Sequence, residues 1–281
     1  MPVIYTDLKD KVVLLTGIGQ VPQSYDESIW GNGAATALIL AQNGAKIFGC
    51  DVDLESAKLT VTRVRETVKD ANIEVVQTDV TKRADVQVLV ESCMKRYGRI
   101  DVLICNVGKS APGGPAEMSD EVWRDQIDVN LTSAFLCTGA VLPIMEEQNS
   151  GSIVLLSSIA GRGFAGRSHI GYSTTKCALR NMAMAIAGRY ASAGIRCNAV
   201  EPGLIHTPLV ARLAYEYNNG NYADTVAKRA SAVPQGRMGT AFEVGQAIAF
   251  LCSDEASSYV NGTSLTVDGG LTAVVGSGQA G

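Results

Sequence analysis

A strand, a glycine-rich loop, a helix and a second strand follow one another near the N-terminus, and this unit constrains the fold most. Residues 11–17 are an apolar run that ends in glycine, as expected of a short buried strand that meets a turn. Gly31 and Gly33 open the helix, and a second strand over residues 45–50 ends at Asp51. In such a unit the glycines let backbone N–H groups approach a pyrophosphate, and the acid accepts hydrogen bonds from ribose hydroxyls.

The rest of the chain continues the alternation of strands and helices. Strict alternation predicts a parallel sheet covered by helices on both faces, that is, an α/β, Rossmann-type, doubly wound fold of three layers. A length of 281 residues suits one such domain, and no repeat or linker divides it. Further strands are predicted over residues 74–77, 101–105, 152–156, 196–200 and 264–267. Helices are predicted over residues 34–42, 54–68, 84–97, 119–147, 172–193, 208–230 and 241–252.

Tyr172 and Lys176 are four residues apart, which places both side chains on one face of a helix. A phenol has an unperturbed pKa of about 10, and a nearby ammonium favours its ionised form. Ser158, upstream of this pair, can hold a substrate oxygen beside the phenol. The three side chains together would move a proton on or off an alcohol or ketone oxygen. The same spacing also occurs in ordinary amphipathic helices, so its meaning depends on the rest of the chain.

These motifs together resemble the short-chain dehydrogenase/reductase superfamily, and the similarity covers nearly the whole chain. The matching residues occur in the family's order and are Thr16 with Gly17, Gly31 with Gly33, Asp51, Asp79 with Val80, Asn106 with Gly108, Asn130, Ser158, Tyr172 with Lys176, Pro202 with Gly203, and the segment 261–270. Any one of these motifs is weak evidence, whereas so many in order identify the family.

The resemblance implies a role for each matching residue. Tyr172 would be the acid/base, Lys176 would lower its pKa and hold the nicotinamide ribose, and Ser158 would orient the substrate oxygen. Asn130 would kink its helix and anchor a water that links the lysine to solvent, or it is simply a satisfied polar residue of a packed helix. The implied dinucleotide contacts are Gly17, Gly19, Gly31, Gly33, Asp51, Asp79, Val80, Asn106, Gly108, Tyr172, Lys176, Pro202, Gly203, Ile205 and Thr207.

The resemblance also implies where a substrate would lie. Three stretches are expected to line the pocket, namely residues 109–115, 160–171 and, as a mobile lid, about 204–232. Within them the expected substrate contacts are Ser110, Phe164, His169 and Leu209. Aromatic and polar residues in these stretches favour a cyclic or aromatic alcohol or ketone over a long acyl chain. His169 is equally compatible with a solvated loop position, and the lid residues with an amphipathic helix core.

The glycine loop departs from the family pattern. Gly31 follows Gly17 by fourteen positions (31 − 17), so about ten residues are extra relative to the family. The end of the inserted segment resembles the long loops of enoyl reductases, but that branch spaces its tyrosine and lysine further apart. The catalytic spacing therefore favours ketone or alcohol chemistry. The insertion leaves open whether the pyrophosphate is touched by Ile18, Gly19 and Ser28.

Charge around the second strand predicts the choice of cofactor. NADP carries an extra phosphate on the adenosine ribose, which Asp51 would repel. Neither the residues that follow Asp51 nor the inserted segment, which holds Asp26 and Glu27, contributes a lysine or arginine. NAD(H) is therefore favoured over NADP(H).

Composition excludes several other classes of function. The net charge is −4 and no basic cluster occurs, so nucleic acid is not an expected partner. The longest apolar runs are of strand length, and the N-terminus lacks the pattern of a signal peptide, so no membrane association is expected. Seven scattered cysteines without a C-x-x-C motif read as reduced core thiols of a cytoplasmic protein, and no metal site is expected.

The sequence therefore predicts an NAD(H)-dependent oxidoreductase that acts on a secondary alcohol or ketone. An NADPH-dependent biosynthetic carbonyl reductase and a non-catalytic dinucleotide-sensing regulator remain as alternatives. The helices over residues 119–147 and 172–193 carry small or apolar side chains on more than one face, so one face would need a partner. With the family resemblance, this predicts a homotetramer.

Overall fold

A computed structural model describes residues 3–20, 29–163, 168–217 and 219–274. Its strands are β1 (Val12–Thr16), β2 (Lys46–Asp51), β3 (Ile73–Gln77), β4 (Val102–Cys105), β5 (Gly151–Leu156), β6 (Ile195–Pro202), β7 (Ile205–His206), β8 (Gly239–Thr240) and β9 (Ser264–Val267). Seven of them run parallel in one sheet, in the order β3-β2-β1-β4-β5-β6-β9, and β7 pairs with β8 in a small second sheet.

Helices cover both faces of the large sheet. They are α1 (Asn32–Gln42), α2 (Leu54–Thr67), α3 (Arg83–Tyr97), α4 (Asp120–Ile127), α5 (Ser133–Gln148), α6 (Ile170–Tyr190), α7 (Pro208–Tyr217), α8 (Tyr222–Ser231), α9 (Ala241–Cys252) and α10 (Asp254–Ser257). The predicted doubly wound, three-layer α/β fold is confirmed.

Alternate residues of β1 enter two separate cores, because successive side chains of a strand point to opposite faces. Val12 and Leu14 pack with residues of α3, α5 and α6. Val13 and Leu15 pack with residues of α1, α2 and α9. The strand lies between β2 and β4, where the strand order reverses, and in such sheets ligands bind at the carboxyl ends of the strands at this point.

Two of the predicted helices are interrupted. The helix expected over residues 119–147 consists of α4 and α5 joined by a π-helical turn (Asp128–Thr132). The helix expected over residues 208–230 is two helices, α7 and α8, and Gly220 between them has φ +76°. A glycine at positive φ ends a helix at low steric cost, so this break has a local cause.

The run Asp120–Gln148 is 29 residues long and, by length and composition, apolar enough to cross a membrane. Several of its residues are buried in the core that α3, α5 and α6 share with the sheet, among them Leu136, Val141 and Met145. Core helices of soluble proteins pass the same test, so this finding is weak evidence for a membrane span.

Candidate active site

The first glycine loop is shaped by contacts that only glycine permits. Gly17 ends β1 with φ +68°, a conformation in which other residues are strained. The side-chain amide Nδ2 of Asn106, which follows β4, donates to the Gly17 carbonyl at 2.7 Å. A Cβ on Gly33 would come within 2.7 Å of the same Nδ2 and collide with the Gly17 carbonyl. The loop, the N-terminus of α1 and the end of β4 therefore form one close-packed cradle.

Gln20 closes the base of the inserted segment. Its side-chain oxygen accepts from the Gly31 N–H at 2.8 Å, and its Nε2 donates to the Ile29 carbonyl at 3.2 Å. The side chain is 1% exposed, so these hydrogen bonds are shielded from water. Gly19 and Gly31 lie close together as a result, since a Cβ on Gly31 would be 3.6 Å from the Gly19 carbonyl oxygen. The extra residues therefore leave the glycine loop continuous.

The structure distinguishes between the three residues whose contact with the pyrophosphate was left open. Ile18 is fully buried and packs against Gly49 of β2, so its side chain belongs to the core. Gly19 lines the cavity that also contains the predicted catalytic residues Ser158, Tyr172 and Lys176. Ser28, like Asp26 and Glu27, lies outside the described residues.

Asp51 stands at the end of β2 beside the glycine loop. Its Oδ2 accepts from the Gly19 N–H at 2.8 Å, and its Oδ1 accepts from the Asp53 N–H at 3.2 Å. The carboxylate also lines a cavity of about 780 Å³ at the carboxyl ends of β1 to β4. It thus has the position expected of an acid that accepts hydrogen bonds from a ribose.

The same cavity receives further residues predicted to contact the dinucleotide. Asp79 and Val80 line it together with Thr78, and Asn106 and Gly108 do so as well. The Asp79 carboxylate accepts from the Thr81 hydroxyl at 2.6 Å and lies 3.1 Å from Lys82 Nζ. The hydrogen bond from Thr81 holds the pKa of Asp79 below its usual value. Asp79 therefore caps the turn before α3 while it lines the cavity.

A second cavity, of about 290 Å³, is lined by Ser158, Tyr172 and Lys176 and is called the catalytic cavity below. It adjoins the first cavity at Gly17, Asn106 and Gly108. The predicted Pro202, Gly203, Ile205, Thr207 and Leu209 line it as well. Ser157 also lines this cavity, but its hydroxyl is engaged, because it donates to the Lys176 carbonyl at 2.6 Å. The fold thus brings the predicted catalytic and nicotinamide-side residues together.

Lys176 is 2% exposed, and its Nζ donates to the Leu156 carbonyl at 2.6 Å. Burial lowers the pKa of Lys176 to about 8. Burial also raises the pKa of Tyr172, against which a hydrogen bond to Ser158 acts. The predicted lowering of the Tyr172 pKa by the lysine stays a prediction, because in this arrangement Lys176 is not among the groups that shift the Tyr172 pKa. Nζ lies 5.5 Å from the centre of the tyrosine ring and bonds to a carbonyl instead of the phenol.

Asn130 lies at the centre of the π-helical turn, so the predicted irregularity in the helix is present. Its Oδ1 accepts from the Lys109 N–H and its Nδ2 donates to the Lys109 carbonyl, both at 2.9 Å. A Cβ on Gly108 would lie 3.3 Å from this Oδ1 and 3.1 Å from Lys176 Nζ. Asn130 therefore fixes the segment after β4 directly beside Lys176.

The predicted substrate contacts separate into three groups. Ser110 Oγ lies 3.0 Å from His169 Nδ1, and backbone hydrogen bonds of Gly113 with Ser168 and Ile170 join the two segments. Of the four predicted contacts, only Leu209 is among the described residues that line the catalytic cavity. Phe164 lies outside the described residues.

The cradle fits a nicotinamide dinucleotide. The buried side-chain oxygens of Asn32 and Asn106 have no hydrogen-bond partner among the described residues. Both residues line the catalytic cavity, where hydroxyl or amide groups of a ligand would satisfy them. Within the described ranges, no group of three or more His, Cys, Asp or Glu residues is arranged to hold a metal ion.

Known proteins resemble this chain over most of its length. A family model described as enoyl-(acyl carrier protein) reductase matches residues 28–272. Cis-4-hydroxycyclohexanecarboxylate dehydrogenase of Sinomonas cyclohexanicum is 41% identical over 87% of this chain and 93% of its own. Levodione reductase of Leifsonia aquatica is 36% identical over 95% of this chain and 96% of its own. A solved structure from Burkholderia xenovorans, described as a short-chain dehydrogenase/reductase, has a TM-score of 0.89 and 37% identity, and the match covers 96% of this chain and all of that one (100%).

We expect Gln20→Ala to weaken dinucleotide binding about tenfold, because two shielded hydrogen bonds that close the glycine loop are lost. Calorimetric titration of the dinucleotide measures the Kd. Gln87→Ala is the matched control, since the Gln87 side chain donates to the neighbouring Glu91 on the exposed face of α3. A Kd for Gln20→Ala within about twofold of the parent's would contradict the role given to Gln20.

Proposed function

The chain belongs to the short-chain dehydrogenase/reductase superfamily, and we propose that it transfers a hydride between NAD(H) and a cyclic secondary alcohol or ketone. The observation that carries the proposal is the shared cavity, in which Ser158, Tyr172 and Lys176 face the glycine loop. Its relatives include a dehydrogenase named for a hydroxycyclohexanecarboxylate and a levodione reductase, which favours a ring substrate here too.

Each catalytic side chain has a distinct task in this proposal. When bound, the dinucleotide accepts or supplies the hydride. Tyr172 gives its proton to the carbonyl oxygen during reduction, or removes one from the alcohol during oxidation. Ser158, which shares a hydrogen bond with the phenol, orients the substrate oxygen. Lys176 binds the nicotinamide ribose once its amino group leaves the Leu156 carbonyl.

Asn130 anchors the proton relay. Its side-chain amide is occupied by the backbone of Lys109 and the Gln126 carbonyl. A water of the relay would therefore bind the backbone of the π-helical turn, where the regular hydrogen-bond ladder is interrupted. The closeness of Asn130 Oδ1 and Lys176 Nζ to Gly108 supports this path.

The cavity of about 780 Å³ beside Asp51, called the adenosine cavity here, favours NAD(H) over NADP(H). Its described lining contains five carboxylates and two cations, and the cations already have acidic neighbours. A ribose phosphate would meet this negative charge and displace the hydrogen bond between Asp51 and Gly19. An NADPH-dependent carbonyl reductase with the same catalytic residues is the alternative. A non-catalytic sensor is disfavoured, because it would not need the intact set of Asn130, Ser158, Tyr172 and Lys176.

The substrate side of the cavity is formed by the predicted lid. Pro208 and Leu209 of α7 and Arg229 of α8 line it, and no carboxylate does so among the described residues. We propose that these helices close over a compact ring. Ser110 and His169 would contact the substrate at the outer end of the pocket.

Tyr172→Phe should lower kcat at least about a hundredfold, because it removes the transferable proton and keeps the ring. The assay follows reduced nicotinamide absorbance with a panel of ring alcohols and ketones, with and without a carboxylate. Dinucleotide affinity, measured by titration, should stay close to the parent's. The proposed mechanism would be wrong if the variant turned over a confirmed substrate at the parent's rate, and the proposed substrate class if only open-chain compounds reacted.

The parent should bind NAD more tightly than NADP, and Asp51→Ala should narrow this difference at least about tenfold, since removal of the charge removes the repulsion. Titration of both cofactors against parent and variant measures the effect. Asp53→Ala is a suitable control, because Asp53 caps α2 and does not line the adenosine cavity. A parent that prefers NADP would defeat the electrostatic argument.

We propose that the protein assembles as a homotetramer in the cytoplasm. Phe135 of α5 and Met184 of α6 are 57% and 58% exposed, while other residues of both helices are buried against the sheet. Exposed apolar side chains on two adjacent long helices favour contact with a second copy. All seven cysteines are unpaired and all but Cys177 are buried, as expected in a reducing compartment. Light scattering at micromolar concentration should give a tetramer mass, and a monomer with full activity would refute the assembly.

A further inference from the structure

A buried carboxylate lies behind the catalytic cavity. Glu201 of β6 is 0% exposed, and its side chain contacts two guanidinium groups. Arg162 Nε donates to Oε2 at 2.6 Å, and Arg180 Nε lies 2.6 Å from Oε1. The hydroxyl of Thr266 in β9 donates to the same Oε2 at 3.2 Å and accepts from Arg162 at 2.6 Å.

The partners of Glu201 come from the segments that carry the catalytic side chains. Arg162 ends the short 3-10 helix (Ile159–Gly161) that Ser158 caps. Arg180 lies one helical turn beyond Lys176 and two beyond Tyr172, on the same face of α6. Glu201 itself precedes Pro202 and Gly203, which line the cavity on its nicotinamide side.

The charges oppose movement of the two arginines away from Glu201. A buried carboxylate without a cation is costly, so any displacement of either arginine away from Glu201 is opposed. The two guanidinium groups are only about one-third exposed, and together they fix the Ser158 turn and α6 relative to one strand. Packing already brings the two segments close, since a Cβ on Gly161 would lie 2.7 Å from the Cys177 nitrogen. The ion pairs restrict the remaining freedom of sliding and rotation.

We propose that Glu201 is a positioning residue that, through Arg162 and Arg180, sets the placement of Ser158 relative to Tyr172. This inference rests on the proposed function, because it assigns Glu201 to the geometry of that same site. Rate depends steeply on such geometry, and a shift of about 1 Å costs on the order of a hundredfold.

The test compares Glu201→Gln and Arg180→Met with a matched control on the same strand. Arg196→Met removes a buried arginine that bonds to Ser257 at 2.9 Å and Asp254 at 3.1 Å, at the opposite end of β6. Arg180→Lys keeps the charge at position 180 and serves as the rescue variant. For each protein, kcat, substrate KM and dinucleotide Kd are measured below its own Tm, and amide hydrogen exchange is followed in segments 157–163 and 170–180.

We expect Arg180→Met and Glu201→Gln to lower kcat at least about tenfold, with dinucleotide Kd within about twofold of the parent's. Exchange in the two segments should accelerate, and Arg180→Lys should recover most of the kcat. Arg196→Met should lower Tm without these effects. If Glu201→Gln does not fold, the test rests on Arg180→Met. In that variant Glu201 keeps its ion pair with Arg162, so the buried carboxylate still has a cation beside it.

Two results would overturn the proposal. In the first, Arg180→Met keeps the parent's kcat and exchange pattern. In the second, Arg196→Met loses as much kcat as Arg180→Met, so that the effect is one of general stability. An inactive parent would instead refute the proposed function, and the exchange measurement would still report whether Glu201 holds the two segments.

Discussion

Burial of the Lys176 amino group is the constraint on which the site depends. The group lies beneath Gly108 and bonds to the Leu156 carbonyl, and burial brings its pKa from 10.5 to about 8. Because the folded pKa is lowered, the charged lysine costs stability below pH 8, on the order of 3 kcal/mol, and this cost disappears as the pH rises from 8 to 10.5. The fold therefore holds a desolvated cation at the place where a polar ligand would bind.

The neighbouring residues are arranged around that cation. Asn130 fixes the segment after β4, and glycine at position 108 leaves room for both the lysine and the asparagine. Ser157 joins the segment after β5 to the backbone carbonyl of Lys176, and Ser158 lines the cavity beside it. Gln20 performs a similar task at the glycine loop, since it holds the two ends of a long insertion together. Each contact joins two different segments of the chain, so the site forms only when the fold brings these segments together.

The sequence was sufficient to predict the fold and to bring the candidate catalytic residues to attention, because both rest on local signals. Apolar runs located the strands of the large sheet, and the spacing of Tyr172 and Lys176 placed them on one helix face. Side-chain partners across loops had no such signal. Nothing in the pattern pairs Gln20 with Gly31, or Glu201 with Arg162, which is 39 positions away. The raised pKa of Tyr172 had no signal in the pattern either, because it results from burial, while Lys176 Nζ points to the Leu156 carbonyl.

The central claim is that a substrate carbon and a nicotinamide meet in the cavity of Ser158, Tyr172 and Lys176 and exchange a hydride directly. It is tested most directly by a ring alcohol that carries deuterium on its carbinol carbon. Mass spectrometry and proton NMR of the reduced dinucleotide should show one deuterium at nicotinamide C4, on a single face, and oxidation should be slower than with the unlabelled alcohol. Reduced dinucleotide that contains no deuterium, or deuterium released to water, would contradict the account.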